Sequence, residues 1–240
     1  MRQVAIINYN TPELTEAAIL SLRKHMSEDC QVTVFDNSDR RPFKKRMKGA
    51  RRIDNTKGKV IDFGKFLAEF PDREPRFARL SDFGSAKHMR TVQELFSIIP
   101  EGFVLMESDV LIRKDIAWMW EEQYAAVGTI QWRQPGNRLG IPRLLPWLCY
   151  LNVPLLTANG ARYFDPSRSW ALQKGEMTRG NWYDTGAALL EDIRRTKPQL
   201  VCHCPARVED CYIHYGGGSW RDNDREAQLS WLEKHEALWK

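Results

Sequence analysis

Glu107 and Asp109 are two carboxylates separated by one residue, a spacing that suits the binding of a cation or a sugar hydroxyl. They follow the apolar run FVLM at 103–106, which predicts a strand buried on both faces of a largely parallel sheet. In an extended chain, residues two apart point to the same side, so both carboxylates leave the strand end together. Neighbouring carboxylates repel unless a cation or a sugar hydroxyl separates them. A solvated acidic turn is the alternative interpretation, because acidic pairs are common in loops.

A strand–helix–strand pattern at the start of the chain predicts the sheet to which that strand belongs. Residues 4–8 form a short apolar run, the segment 11–13 is a typical helix start, and residues 32–35 form a second strand. Such a unit implies parallel strands joined by a right-handed crossover. The first turn lacks the glycine-rich dinucleotide fingerprint, which argues against an NAD-binding domain. Asp36, at the tip of the second strand, is placed to meet a base or a ribose.

Weaker patterns predict the remaining elements. Helices are expected at 86–99 and 187–196, and Lys87 lies in the first turn of the former, where a cation is unusual unless an anion docks there. The other expected elements are a partial helix at 63–70, a helix after Asp109 through 118–120, strands at 60–61, 125–132 and 162–164, and paired edge strands between 201 and 215.

Length and composition indicate a single soluble domain. The chain has 240 residues, of which 42% are hydrophobic, and no apolar stretch is long enough to span a membrane. The N-terminus runs directly into a strand, so no signal peptide is expected. Five cysteines, an odd number, favour a reducing compartment. We therefore expect a cytoplasmic protein.

Four stretches of the chain together resemble the family-2-type glycosyltransferases of GT-A fold. They are VAIINYNTPELTEAAILSL at 4–22, VTVFDNSD at 32–39, FVLMESDVLI at 103–112 and IHYGGGSW at 213–220. The resemblance implies an α/β fold with a mixed, mostly parallel sheet flanked by helices. It also implies one GT-A-like domain over 1–240, with residues 1–112 as the nucleotide-sugar-binding half and 113–240 as the acceptor-binding half.

The same resemblance implies a reaction. A sugar would pass from a nucleotide-diphosphate donor, with a UDP-sugar expected, to a hydroxyl of a glycan or lipid-linked acceptor, with inversion and in polysaccharide biosynthesis. The implied cofactor is Mn²⁺ or Mg²⁺, since a dication stabilises the charge of a departing diphosphate. Asp109 is the expected ligand, because hard cations bind oxygen. Glu107 stands where the family usually has Asp, so its contact is either with the ribose or with the metal's water shell.

Two further roles follow from the resemblance. His214 would complete the metal or diphosphate site, the alternative being a satisfied histidine on an edge strand. Asp184 would be the catalytic base, the alternative being that it caps the following helix, with Glu191 and Asp192 in reserve. The candidate donor-site residues are Asn8, Tyr9, Asn10, Asp36, Lys87, Glu107, Ser108, Gly216 and Gly217, where the glycines allow backbone N–H groups to approach phosphate oxygens.

A basic segment at 40–52 holds eight Lys or Arg residues in thirteen, although the net charge is only +5. It is either a solvated loop or a contact for an anionic partner, such as a peripheral contact with an anionic membrane helped by the apolar segment 144–158. A nucleic-acid-binding module is disfavoured, because Phe43 is the single aromatic residue in this segment. We expect no nucleic-acid partner.

Two other functional classes fit the sequence less well. A nucleotidyltransferase acting on sugar phosphates requires a glycine-rich phosphate loop after the first strand, and none is present there. A zinc site is conceivable, but its candidate ligands lack the usual C-x-x-C spacing, so structural cysteines are favoured. Those candidate ligands are Cys202, His203, Cys204, Cys211 and His214.

Overall fold

A seven-stranded sheet forms the centre of the protein, seen in a computed structural model that describes residues 1–69, 84–132, 141–168, 183–216 and 224–240. The strands are β1 (Arg2–Asn8), β2 (Cys30–Asp36), β3 (Ala50–Asp54), β4 (Phe103–Glu107), β5 (Val110–Ile112), β6 (Ala126–Gly128), β7 (Ile130–Gln131), β8 (Arg143–Leu144), β9 (Leu148–Leu151), β10 (Val201–His203) and β11 (Tyr212–His214). The helices are α1 (Pro12–His25), α2 (Phe63–Ala68), α3 (Gly84–Ile98), α4 (Val153–Ala158), α5 (Ala187–Thr196), α6 (Pro205–Glu209) and α7 (Arg225–Lys234), with 3₁₀ turns at Ala117–Met119, Pro198–Leu200 and Glu236–Leu238.

The sheet is mixed and mostly parallel, as predicted. Its strand order is β10-β6-β9-β4-β1-β2-β3, and β9 runs antiparallel to both of its neighbours while the other pairs are parallel. Asn8 lies opposite Asp36, and Ile7 lies opposite Glu107. The carboxyl ends of β1, β2 and β4 therefore meet at one edge, which is where ligands bind in open α/β sheets.

Apolar side chains on both faces of β4 explain its unbroken hydrophobic sequence. Phe103 and Leu105 pack into a core cluster that contains the buried face of α3. Val104 and Met106 point the other way, into a cluster that contains residues of α1. A strand covered on both faces needs apolar residues at every position. The predicted βαβ unit and the helices at 86–99 and 187–196 are also confirmed, as β1–α1–β2, α3 and α5.

The segment after Asp109 differs from the prediction. The expected helix through 118–120 is wrong: the chain forms β5 and then a short 3₁₀ turn at Ala117–Met119. The strand expected at 125–132 is divided into β6, which joins the main sheet, and β7, which pairs with β8 in a separate sheet. The edge strands expected between 201 and 215 do not pair with each other, since β10 pairs with β6 and β11 pairs with β5.

Two short predicted strands are replaced by loops held by side-chain amides. The backbone N–H groups of residues 60–61 both donate to the side-chain oxygen of Asn55. Those of residues 163–164 both donate to the side-chain oxygen of Gln93. Because an amide side chain satisfies these donors, the segments need no partner strand. None of the described helices is long and apolar enough to cross a membrane.

Candidate functional site

Glu107, Asp109 and His214 lie together at the carboxyl end of β4. Glu107 ends β4, Asp109 lies in the turn before β5, and His214 ends β11, which pairs with β5. The Nε2 atom of His214 lies 3.2 Å from Asp109 Oδ1 and 3.5 Å from Glu107 Oε2. In the part of the chain that the structure describes, these three residues form the single group of acidic, histidine and cysteine side chains whose ligand atoms all lie within 4.8 Å of one another.

The two carboxylates hold a proton on His214. Burial lowers the pKa of His214, but hydrogen bonds to Asp109 and Glu107 outweigh this and raise the pKa to about 9. Burial raises the pKa of Glu107, and the charge of Asp109 raises it further against the opposing effect of His214. The Trp147 ring lies 4.4 Å from the imidazole, centre to centre, and supports its orientation. A positive charge is therefore already stabilised between these carboxylates.

This donor set fits a dication. Two carboxylates offer the oxygen ligands that Mg²⁺ and Mn²⁺ prefer, and the imidazole adds a nitrogen that suits a transition metal better than Mg²⁺. The residues thus fit Mn²⁺ somewhat better than Mg²⁺. The β5–β11 pairing places residue 214 opposite residue 110. This pairing brings a histidine from late in the chain beside two carboxylates from its middle.

We expect Mn²⁺ binding to strengthen with pH, by about tenfold per unit up to a pH near 9, because His214 must release one proton to bind the metal. In the metal-free protein, by contrast, the contribution of His214 to stability falls as the pH rises. The folded-state pKa of His214 lies above 6.5, so its contribution to stability is complete below pH 6.5 and disappears as the pH rises through about 9. Calorimetric titration with Mn²⁺ across this range tests the first statement, and urea unfolding of wild type and His214→Gln tests the second. Affinity independent of pH would contradict the assignment.

The turn between β1 and α1 is fastened to the end of β2. The Asn8 side chain donates to Asp36 and Ser38, and its oxygen accepts from Thr11 and Thr15. Asn10 adopts a left-handed backbone conformation with a φ of 62°, and its side-chain oxygen accepts from the backbone N–H groups of residues 40–41. Both asparagines are fully buried, so their hydrogen bonds hold the turns of the predicted donor site together.

Asp36 is also fully buried, and its oxygens are occupied. Oδ1 accepts from Asn8 and from the backbone of Ser38, while Oδ2 accepts from the backbone of Phe43 and pairs with Arg52. A contact with a base or ribose requires Asp36 to give up one of these bonds, so that role stays a prediction. The Ser108 hydroxyl is likewise buried, 2.9 Å from that of Thr11.

Tyr9 and Lys87 lie side by side in the predicted donor site, where Tyr9 is partly exposed and Lys87 is buried. The Tyr9 hydroxyl donates to Asp39 over 3.0 Å, and burial raises its pKa to about 12. Lys87 Nζ lies 4.6 Å from the centre of the Tyr9 ring, which explains how a cation is accommodated in the first turn of α3. Gly216 has a φ of +77°, and an added Cβ would meet nothing within 4 Å, while Gly217 lies outside the described residues.

Asp184 forms a buried ion pair with Arg143 of β8, a residue that the sequence did not single out. The same guanidinium donates to the Gln131 side chain over 3.0 and 3.3 Å. The other oxygen of Asp184 accepts from the backbone N–H of Thr185. Gly186 is the N-cap of α5, so the alternative interpretation of Asp184 as a helix cap is wrong.

The two reserve bases are engaged elsewhere. Asp192 pairs with Arg168, which also contacts Glu191, and Glu191 accepts a hydrogen bond from the Tyr183 hydroxyl. These groups fasten the outer side of α5 to the segment before residue 169. Asp184, in contrast, acts on the pKa of His88, which lies beside Glu107.

His88 lies between the carboxylate cluster and the ion pair. Its Nε2 atom is 4.0 Å from Glu107 Oε1, and its pKa also responds to Asp184 and Arg143. Burial is the main reason that this pKa falls to about 4, so the ring stays neutral near pH 7. Neither ring nitrogen has a hydrogen-bond partner among the described residues. The cluster and the ion pair thus share one side of the sheet.

Solved structures similar to this chain include glycosyltransferases. The galactosyltransferase LgtC, solved with donor and acceptor sugar analogues, matches with a TM-score of 0.50 and 13% identity, over 85% of this chain and 74% of that chain. The chain has a GT-A fold. Mouse xyloside xylosyltransferase 1 in its apo form matches at 0.47 and 10%, over 95% and 93% of the two chains. The mannosyltransferase PcManGT from Pyrobaculum calidifontis, solved with GDP-Man and Mn²⁺, matches at 0.42 and 15%, over 99% and 65%.

These likenesses concern the fold. Comparison with protein-family models finds no match, and comparison with curated proteins finds none either. At identities of 10 to 15%, shared architecture does not transfer an activity from one chain to another. The case for a function therefore rests on the residues at the end of β4 in this GT-A fold.

A tight contact at Gly186 holds the ion pair in place. Gly186 has a φ of +79°, and an added Cβ would lie 2.3 Å from the backbone oxygen of Leu144, the neighbour of Arg143. We expect Gly186→Ala to lower the free energy of unfolding by about 1–2 kcal/mol for the backbone conformation, plus about 1–3 kcal/mol for the clash. Gly160→Ala is the matched control, because its φ is +66° and a Cβ there meets nothing within 4 Å. Urea unfolding that gives equal losses in the two variants would contradict this account.

The zinc site considered from the sequence does not form in the described part of the chain. His214 joins the two carboxylates instead, and the cysteines belong to no ligand cluster among the described residues. All five cysteines are free thiols. Burial raises the pKa of Cys149 and Cys211, as expected for structural cysteines.

The basic segment at 40–52 is partly neutralised. Four of its side chains pair with acids, in the pairs Arg40–Asp39, Arg41–Glu13, Lys45–Glu16 and Arg52–Asp36. Lys44, Arg46 and Lys48 are exposed. The apolar segment 144–158 contains β8, β9 and α4 and is largely buried in the core, so the prediction that it helps a membrane contact is wrong.

Proposed function

We propose that this protein is a glycosyltransferase that moves a sugar from a nucleotide-diphosphate donor to an acceptor hydroxyl. The observation that carries the proposal is the cluster of Glu107, Asp109 and His214 at the carboxyl end of β4 in a GT-A fold. Ligands of open α/β sheets bind beyond the carboxyl ends of the strands. A cluster that already stabilises a positive charge suits the binding of a dication together with a diphosphate.

Asp109 and His214 would hold Mn²⁺ or Mg²⁺, and Glu107 would complete the ligand set or bind the ribose. When bound, the dication stabilises the negative charge that develops on the departing diphosphate. Trp147 keeps the His214 ring in place through its 4.4 Å ring contact. The release of the His214 proton on metal binding leaves the imidazole nitrogen free to act as a ligand.

The donor, for which we propose a UDP-sugar, would lie across the turns that follow β1 and β2. The Tyr9 ring offers an aromatic face, and Lys87 beside it offers a cation for a phosphate. Asn8, Asn10 and Asp36 hold these turns from within, and Ser108 fastens the turn after β4 to the start of α1. Gly216 and Gly217 would let backbone N–H groups approach the diphosphate.

Asp184 would act as the catalytic base of an inverting transfer. It would take the proton from the acceptor hydroxyl as that oxygen attacks the anomeric carbon and the bond from this carbon to the diphosphate breaks. Arg143 orients the carboxylate by pairing with one of its oxygens, while the Thr185 N–H binds the other. The acceptor would be a glycan or a lipid-linked sugar, in polysaccharide biosynthesis of the family-2 type.

Thermal shift with a panel of nucleotides tests this proposal. Specific stabilisation by UDP, GDP or dTDP together with Mn²⁺ is expected, amounting to about 2.7 kcal/mol at a ligand concentration of about 100 Kd. Preferential stabilisation by nucleoside triphosphates would indicate a nucleotidyltransferase instead. Stabilisation by oligonucleotides alone would indicate a nucleic-acid-binding module.

The proposal includes a cytoplasmic location with a peripheral contact to an anionic membrane, close to a lipid-linked acceptor. The sequence places this contact in the basic segment 40–52, of which Lys44, Arg46 and Lys48 are exposed. Basic residues near an anionic surface each contribute on the order of 1 kcal/mol. Binding to anionic vesicles that weakens with salt is the expected result, and the absence of binding would remove this part of the proposal.

A further inference from the structure

An open groove lies beside β10, the outermost strand at one edge of the seven-stranded sheet. Its volume is about 340 Å³. The basic segment 40–52 leads into β3 at the opposite edge, six strand spacings or roughly 29 Å away. The groove is therefore a separate surface. It is lined by Ile130, Trp132, Arg194, Pro198, Val201 and His203.

Trp132 makes this groove unusual. It is 68% exposed, the most exposed aromatic side chain among the described residues. Ile130 and Trp132 are two residues apart at the end of β7, so they share one side of the strand, whereas Gln131 between them points to Arg143. A large indole held in solvent beside apolar walls is typical of a docking surface rather than of a core.

The polar groups around the groove are basic. Arg194 lies in the last turn of α5, and Arg195 and Lys197 beside it are also exposed. His203 Nδ1 accepts a hydrogen bond from the backbone N–H of Ile130, so Nε2 carries the ring's proton and remains a donor. None of the described residues that line the groove is acidic. The partner that complements this surface is therefore anionic and partly apolar.

We propose that this edge surface, defined as Trp132, Arg194, Lys197, Pro198 and the groove between them, docks on an anionic phospholipid bilayer. Tryptophan is enriched where protein meets the headgroup layer, and neighbouring basic residues bind anionic headgroups. The groove is open and lies at the rim of the sheet, where a flat surface can reach it. An enclosed pocket would instead be expected for a small ligand. The inference rests on the membrane part of the proposed function and assigns that contact to a different surface from the basic segment.

Co-sedimentation of the full chain with vesicles tests this assignment. Phosphatidylcholine vesicles with and without phosphatidylglycerol are compared at low and high salt. Arg194→Gln combined with Lys197→Gln is expected to weaken binding to the anionic vesicles by about 25-fold, about fivefold for each charge. Trp132→Ser is expected to weaken vesicle binding by about tenfold at both low and high salt, because the indole contribution is apolar.

Matched controls come from the opposite side of the protein. Val60→Ser removes a partly exposed apolar side chain away from the groove, and Lys44→Gln combined with Lys48→Gln removes two charges from the basic segment. Both are expected to bind anionic vesicles as the wild type does. All variants should keep the wild-type melting temperature and Mn²⁺-dependent nucleotide binding, since none lies in the proposed active site.

The outcomes separate the two proposals. If the wild type does not bind anionic vesicles, the membrane part of the proposed function fails, and this inference fails with it. If the wild type binds but the edge variants bind equally well, the inference alone is overturned. If only the variants of the basic segment lose binding, the inference is also overturned, and the membrane contact is assigned to residues 40–52.

Discussion

Asp109→Asn is expected to weaken Mn²⁺ binding by at least about 100-fold and to abolish metal-dependent nucleotide binding. Asp109 is buried, and its Oδ1 lies 3.2 Å from His214 Nε2, so the substitution removes both a ligand charge and the partner of the neighbouring ligand. The fold should persist, because the backbone oxygen of Asp109 still accepts from Tyr215. Calorimetric titration with Mn²⁺, with and without UDP, measures the effect.

Glu107→Gln and Ser108→Ala complete this test. Glu107→Gln should have a smaller effect than Asp109→Asn if Glu107 acts through the ribose or a metal-bound water. Ser108→Ala removes a hydroxyl that contacts Thr11 rather than the cluster, so it should leave Mn²⁺ affinity unchanged. Undiminished Mn²⁺-dependent nucleotide binding by a folded Asp109→Asn protein would refute the metal site.

The second large effect is expected at Asp184. Asp184→Asn should reduce sugar transfer by a factor on the order of 10² or more, because an amide cannot take the acceptor's proton. Donor binding should be retained, since Asp184 lies with Arg143 and Gln131 rather than with the carboxylate cluster. Steady-state kinetics should therefore show a fall in kcat with little change in the donor KM.

Asp184→Asn also affects stability. Because Asp184 is the partner of a buried arginine, replacing it with asparagine leaves Arg143 without a counter-charge, at a cost of about 3–5 kcal/mol. From the sequence alone, asparagine would be expected to leave stability unchanged. Arg143→Gln is the matched control, because it breaks the same ion pair and keeps the carboxylate. If Asp184→Asn retains transfer, or if both variants lose transfer equally at equal stability, Asp184 is not the base.

Local patterns predicted the parts of the fold that position the candidate metal cluster. The β1–α1–β2 unit and β4 follow from short apolar runs and a helix start. These signals are local, because each depends on only a few neighbouring residues. The shared side of Glu107 and Asp109 follows from strand periodicity. The place of His214 beside them depended on resemblance, because the β5–β11 pairing that brings it there was not predicted.

Other parts of the site depend on contacts that no local pattern reveals. Arg143 and Asp184 are 41 residues apart, and Arg143 lies in a Pro- and Gly-interrupted region that reads as a loop. His88 falls within the helix predicted at 86–99, but helical periodicity does not show that it lies between Glu107 and the ion pair. Four separate residues bond to the oxygens of Asp36. The position of Asp36 at the end of a strand does not reveal these contacts.

The most direct test of the central claim is the release of nucleoside diphosphate from a panel of nucleotide sugars, with and without Mn²⁺. If the protein is a metal-dependent glycosyltransferase, one donor of the panel should release its nucleoside diphosphate in the presence of Mn²⁺. That release should be lost on chelation and in Asp109→Asn. Release from no donor, or equal release by wild type and Asp109→Asn, would contradict the claim.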